Sequence, residues 1–168
     1  MKPEEFVKQY YPFAKELEKE SGVPAVFIVA QAAHESGWGE KAVGNNFFGI
    51  KAKKSTPIEQ RQLIVTTEYS TSPNLKFPEI IAIVPQGKKF KYTVRDWFMK
   101  YETPKDSFRD HIRFLLEKKR YAHCMECRHD LGLFAETVAR AGYATDPNYE
   151  TVLKAMIKSV IKRLPHGI

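Results

Sequence analysis

Long apolar runs are absent from this chain. None approaches the about 20 residues that a membrane-crossing helix needs, so no transmembrane span is expected among the 168 residues. The opening stretch, MKPEEFVKQYYP, carries acids and proline where the apolar core of a secretory signal would lie, so no such signal is expected either. Lysines are numerous but scattered, and no basic run is long enough to argue for nucleic acid. Cysteine is scarce: only Cys124 and Cys127 occur. With His123 and His129 they offer zinc-like ligand types, yet all four lie within seven residues, whereas a structural zinc site usually joins distant segments. We read the cysteines as reduced thiols near a loop–helix junction and expect no metal. A disulfide across Cys-x-x-Cys is the alternative in an oxidising compartment. Thioredoxin-like chemistry is not expected without a βαβ context.

What is present has an ordinary globular balance, 43% hydrophobic and 28% charged. The length suits one domain with a real core, residues 1–168. The net charge of +7, from 27 Lys and Arg against 20 Asp and Glu, suits an anionic partner such as cell-wall polymer, nucleic acid or a membrane surface.

The chain is organised around VPAVFIVAQAAHESGWGEKAVGNNFFGIKA, residues 23–52. Pro24 suits a first helical position, and the nearly continuous apolar run from Val26 to Ala33 predicts a helix buried on most sides. Ile28, Gln31, Ala32 and Glu35 share one face on the 3.6-residue period. Gly37 stops the helix, so Glu35 sits in its last turn, where a negative charge opposes the helix dipole. That position and partial burial both favour the protonated acid, and the Gly-rich loop around Trp38 adds an aromatic neighbour. The alternative is a helix-end glutamate that simply faces solvent.

Around this core the pattern alternates between helical and extended segments. Phe6, Tyr10, Phe13 and Leu17 follow a helical period over residues 3–20, and Pro12 is expected to split a short first helix from a second. Residues 58–99 read as a small antiparallel sheet of two or three strands, with a turn at Pro85-Gln86-Gly87. Thr103 and Pro104 open a helix with Phe108, Ile112, Leu115 and Leu116 facing inward, on which Asp110 and His111 are expected to form a hydrogen-bonding pair. Asp130 caps a helix ended by Gly142, and Asp146-Pro147 opens a last helix that runs to LPHGI.

Three stretches in order, AQAAHESGWG with GNNFFGIKA, RDWFMKYETPKDSFRDHIRFLLEKKRYA, and AGYATDPNY, resemble the glucosaminidase family of peptidoglycan hydrolases (glycoside hydrolase family 73), which includes the domain of flagellar muramidases. The resemblance spans about residues 10–155. It implies an α+β, lysozyme-like fold: a mainly helical lobe, a small antiparallel β-lobe inserted at residues 58–99, and a cleft between them. Helix-rich segments interrupted by strands agree with that class independently. The family's general acid corresponds to Glu35. A Glu in a Thr-Glu-Tyr context on its β-lobe corresponds to Glu68, whose alternative is a polar residue on a half-exposed strand. Its cleft tyrosine corresponds to Tyr143. His34 departs from the apolar residue often found before the acid. Trp38 and Phe48 either pack on sugar faces or belong to the core, and Asn46 either bonds a sugar or fixes its own loop.

The resemblance implies an endo-β-N-acetylglucosaminidase acting on peptidoglycan glycan strands without a cofactor. A muramidase or lytic transglycosylase using the same acid, or a catalytically silent wall-binding module, are the alternatives. Glu68 or the substrate's own acetamido group would support the cation or guide water. Action on the cell wall without a signal peptide implies holin release, a secretion machine or a longer exported protein; a secreted toxin would also require a cognate immunity protein.

Overall fold

The computed structural model describes residues 1–165, so the last residues of the LPHGI ending lie outside the described part. The chain divides into a helical unit, residues 1–48 with the chain from Glu102 onward, and a sheet unit, Gly49–Tyr101.

In the helical unit, α1 (Pro3–Ser21) buries Phe6, Val7, Tyr10, Tyr11, Ala14 and Leu17 along one stripe. Pro12 lies inside it: the expected break is not there. Pro12 faces solvent between the buried positions, so water can serve the carbonyl that lacks its usual donor while the apolar stripe holds both halves in line. Gly22 ends α1 at φ 78°, its N–H bonding Glu18 O at 2.7 Å.

α2 (Ala25–Ser36) is the centre of this unit, packed by α1 and α5 (Tyr149–Ile161). Pro24 is its N-cap, one residue earlier than expected. α3 (Pro104–Glu117) starts from a reciprocal cap: Thr103 accepts from Asp106 N–H, and Asp106 accepts from Thr103 N–H. α4 (Leu131–Arg140) is capped by Asp130. Asp146 does not begin α5; it accepts from Asn148 N–H at 2.8 Å in a turn, and the helix starts after Asn148. A cluster of Phe6, Tyr10, Phe13, Phe47 and Phe108 rings ties α1 and α3 to the loop after α2.

The sheet unit holds three antiparallel strands, β1 (Arg61–Ser70), β2 (Glu79–Gln86) and β3 (Lys89–Met99), in the order β1-β3-β2. The β2–β3 turn is shorter than the sequence suggests: Gly87 and Lys88 make it, while Pro85 and Gln86 remain in β2. Pro85 is tolerated because β2 is an edge strand. Among the described residues no helix is long and apolar enough to cross a membrane.

Candidate active site

The last turn of α2 is where its sequence stops being apolar. Nine of its twelve residues are buried, but His34 and Glu35 reach solvent. Gly37 closes the helix in the left-handed conformation, φ 57°, which costs a glycine little. Trp38 shares that conformation at φ 57°, a strained state for a bulky residue, and its N–H bonds Ala33 O at 2.8 Å. Ser36 locks the turn: its hydroxyl donates to Ala32 O at 2.5 Å and accepts from Gly39 N–H at 2.8 Å. Glu35 is thus fixed at a helix end whose loop cannot easily drift.

The Glu35 residue is exposed by surface area, yet the protein around its carboxyl is enough to disfavour the charged form. That burial raises its pKa above the ordinary 4.5, with a smaller opposing influence from His34. Among the described residues no ion pair includes Glu35. A carboxyl held in this way can keep a proton to give away.

Two tyrosines feel the Glu35 charge. Burial raises the pKa of Tyr143 well above its usual value, and the nearby Tyr149 and Glu35 add to the effect. Burial likewise raises Tyr149, against a hydrogen bond from Gln31. Their rings stack at 5.2 Å. Behind them runs a buried polar chain. Gln31 Nε2 donates to the Tyr149 hydroxyl at 2.9 Å, and Gln31 Oε1 lies 2.8 Å from His111 Nε2. The same His111 nitrogen is 3.5 Å from the Tyr143 hydroxyl. Gln31, His111 and Tyr149 are all buried. Burial pushes the His111 imidazole down to about 3, so the ring is neutral.

Of the expected residues, Glu35 and Tyr143 lie close enough for the charge of one to act on the other. The other expected residues of the helical unit have different surroundings. Phe48 is buried and lies flat on His111, centroids 3.9 Å apart. Trp38 meets Phe6 edge-on at 5.6 Å and carries the Arg163 guanidinium over its ring at 5.8 Å. Asn46 is buried in its loop, its N–H bonding Val43 O at 3.2 Å. Asp110 binds Arg113 and acts on the His111 ring through its charge, while His111 reaches Gln31 and Tyr143.

Glu68 belongs to the sheet unit. It sits on β1 opposite Tyr92 and on the face of Ile64 and Thr66, and its Oε1 accepts from Lys51 Nζ at 2.7 Å. Lys51 also reaches Asp96 Oδ2 at 3.1 Å. Burial alone would lower the Lys51 pKa, but the hydrogen bonds to Glu68 and Asp96 outweigh it and raise the ammonium above its ordinary value. Asp96 was not anticipated from the sequence. Cys124 is buried and Cys127 partly so, both as free thiols, and no cluster able to hold a metal occurs among the described residues.

With this geometry in view, a family profile described as Mannosyl-glycoprotein endo-beta-N-acetylglucosaminidase matches residues 11–162. The chain belongs to the glucosaminidase family. Peptidoglycan hydrolase FlgJ of Vibrio parahaemolyticus is 35% identical over 153 residues, which is 88% of this chain and 44% of that protein. The chain spans about half the length of the curated relatives it matches. The crystal structure of a peptidoglycan hydrolase mutant from Sphingomonas sp. A1 aligns with a TM-score of 0.70 at 26% identity, covering 95% of this chain and 97% of that one. The glycoside hydrolase domain of Salmonella typhimurium FlgJ aligns with a TM-score of 0.66 at 28% identity, covering 96% and 90%. The fold of this glucosaminidase chain is α+β and lysozyme-like.

Sequence reasoning placed Gln31 on the Glu35 face but gave it no task, and it quoted Tyr149 within AGYATDPNY without giving it one. The available signal was a polar residue one helical turn before Glu35 inside an otherwise apolar run, since a buried amide must find partners.

Proposed function

We propose that this domain is a peptidoglycan hydrolase that cuts the glycan strand after N-acetylglucosamine, with Glu35 as its general acid. The single observation that carries the reading is the Glu35 carboxyl: it is free of ion pairs among the described residues, raised by burial, and adjacent to Tyr143 and Tyr149. Membership of the glucosaminidase family and the similarity to peptidoglycan hydrolases supply the substrate class.

Protonated Glu35 gives its proton to the leaving glycosidic oxygen as the bond lengthens through an oxocarbenium-like state. Tyr143 positions the sugar or polarises its acetamido group. Glu68, held by Lys51, is the second carboxylate, supporting the cation or directing water; the substrate acetamido group is the other candidate for that task. Asn46, Trp38 and Phe48 complete the proposed substrate surroundings, the last two through the placement of Glu35 and His111 as much as through sugar contact. No step calls for a metal or cofactor. Action on the wall places the enzyme in the periplasm or outside the cell; release by a holin, delivery by a secretion machine with an immunity partner, or residence in a longer protein are the routes we propose.

Mass spectrometry of digested peptidoglycan tests the reading. Reducing N-acetylglucosamine ends are expected. Reducing N-acetylmuramic ends would reassign the domain as a muramidase, and anhydro ends as a lytic transglycosylase. Wall binding without soluble products would make it a silent binding module.

A further inference from the structure

The buried chain behind Glu35 contains more polar groups than packing needs. A glutamine and a histidine at 0% and 2% exposure sit in the middle of an aromatic core, where apolar residues of similar size would be simpler to bury. Their hydrogen bonds also have a direction. Gln31 Nε2 is a donor and lies on the Tyr149 hydroxyl, so that oxygen accepts. Gln31 Oε1 is then the acceptor facing His111, and a neutral ring must place its single proton on Nε2 to meet it at 2.8 Å. With that nitrogen protonated, the Tyr143 hydroxyl 3.5 Å away cannot donate to it. The Tyr149 hydroxyl therefore accepts on its inward side, the Tyr143 hydroxyl finds no acceptor at His111, and both keep their own protons for the outward side. Phe48, flat on the imidazole at 3.9 Å, holds the ring in the plane that makes this possible.

We infer that Gln31 and His111 are positioning residues that orient the Tyr149 and Tyr143 hydroxyls as a pair of outward hydrogen-bond donors beside Glu35. The inference rests on the reading of Glu35 as the acid. Once Glu35 has given up its proton, the site contains a new carboxylate and a sugar cation, and hydroxyl donors kept available beside it lower the energy of that state with little reorganisation. Tyr149, the last residue of the AGYATDPNY stretch and the first of α5, thereby joins the site. Gln31 lies one turn before Glu35 on the same helix face, so the acid and the residue that sets its neighbours are fixed by one element.

Two nearly isosteric variants test this. Tyr149→Phe keeps the stacked ring and removes the hydroxyl. Gln31→Glu keeps the shape but turns the donor toward Tyr149 into an acceptor, so the Tyr149 proton is drawn inward. Turnover of soluble glycan fragments is measured with kcat and KM separated, alongside the melting temperature and a Glu35→Gln control. Each variant is expected to lose about tenfold or more in kcat with KM within about twofold of wild type, because the donors act on the charge that develops in the transition state. A lowered melting temperature with wild-type kcat in Tyr149→Phe would make the chain a packing device and overturn the inference. Should Gln31→Glu fold poorly, Tyr149→Phe decides alone. An active Glu35→Gln control would instead reject the acid assignment itself, so the two failures are told apart.

Discussion

Glu35 and His111 are pushed in opposite senses by the same packing. Burial raises the carboxyl, because the ionised form is the one disfavoured, and lowers the imidazole for the same reason. The two leave opposite marks on stability. For Glu35 the folded state holds its proton more tightly than the unfolded chain. Its contribution is complete below about 4.5 and is lost as pH rises through the raised folded value. Glu35→Gln should therefore gain on wild type in urea midpoint as pH rises from 4 to 7. For His111 the unfolded ring takes a proton near 6.5 while the folded ring stays neutral to about 3, so stability drains away as pH falls across that window. His111→Phe should show a shallower acid loss than wild type in the same titration. Activity follows the Glu35 proton: kcat/KM should fall on an alkaline limb that lies above the ordinary carboxylate range, read from a pH–rate profile.

At the scale of elements, sequence pattern and structure agree where the chemistry is local. Thr103, Asp130 and Gly37 carry their cap information in the residues themselves, and all three act as read. Thr103→Ala should lower stability by about 1 kcal/mol in denaturant unfolding, since a backbone donor at the start of α3 loses its acceptor. The disagreements arise where tertiary contacts decide. Pro12 carries a break signal, but four buried side chains before it and two after it keep α1 whole. Pro12→Ala should raise stability by roughly 1–3 kcal/mol, because it restores a backbone donor in a helix interior. The β2–β3 turn tightened to Gly87-Lys88 for a similar reason: pairing of Pro85 with Phe90 and Gln86 with Lys89 extends the ladder past the turn residues the sequence suggested. Of the candidate site, Glu35 and Tyr143 were legible through motif and helix position. Gln31, His111 and Tyr149 were not, because their meeting joins residues 80 and 118 positions apart and no local period reports that.

Charge is unevenly shared across the whole molecule. The sheet unit, residues 49–101, holds ten of the 27 Lys and Arg but only four of the 20 Asp and Glu, so nearly all of the +7 net charge is there. Lys88, Lys89 and Lys91 are exposed at and beside the β2–β3 turn. Binding to a wall rich in carboxylates should therefore weaken with ionic strength, and replacing those three lysines by glutamine should flatten the salt dependence in a sedimentation assay while leaving the fold intact. The α+β class was legible at this scale because the helical periods stop at a stretch of β-branched and aromatic residues and resume after it. The charge division became visible only once the boundaries of the two units were known. The most direct test of the account remains the turnover of purified peptidoglycan by Glu35→Gln, measured beside wild type with folding checked by circular dichroism. The account predicts a native spectrum and a rate lower by about 10³-fold, the scale of a lost general acid. A folded variant that keeps most of the wild-type rate would contradict it.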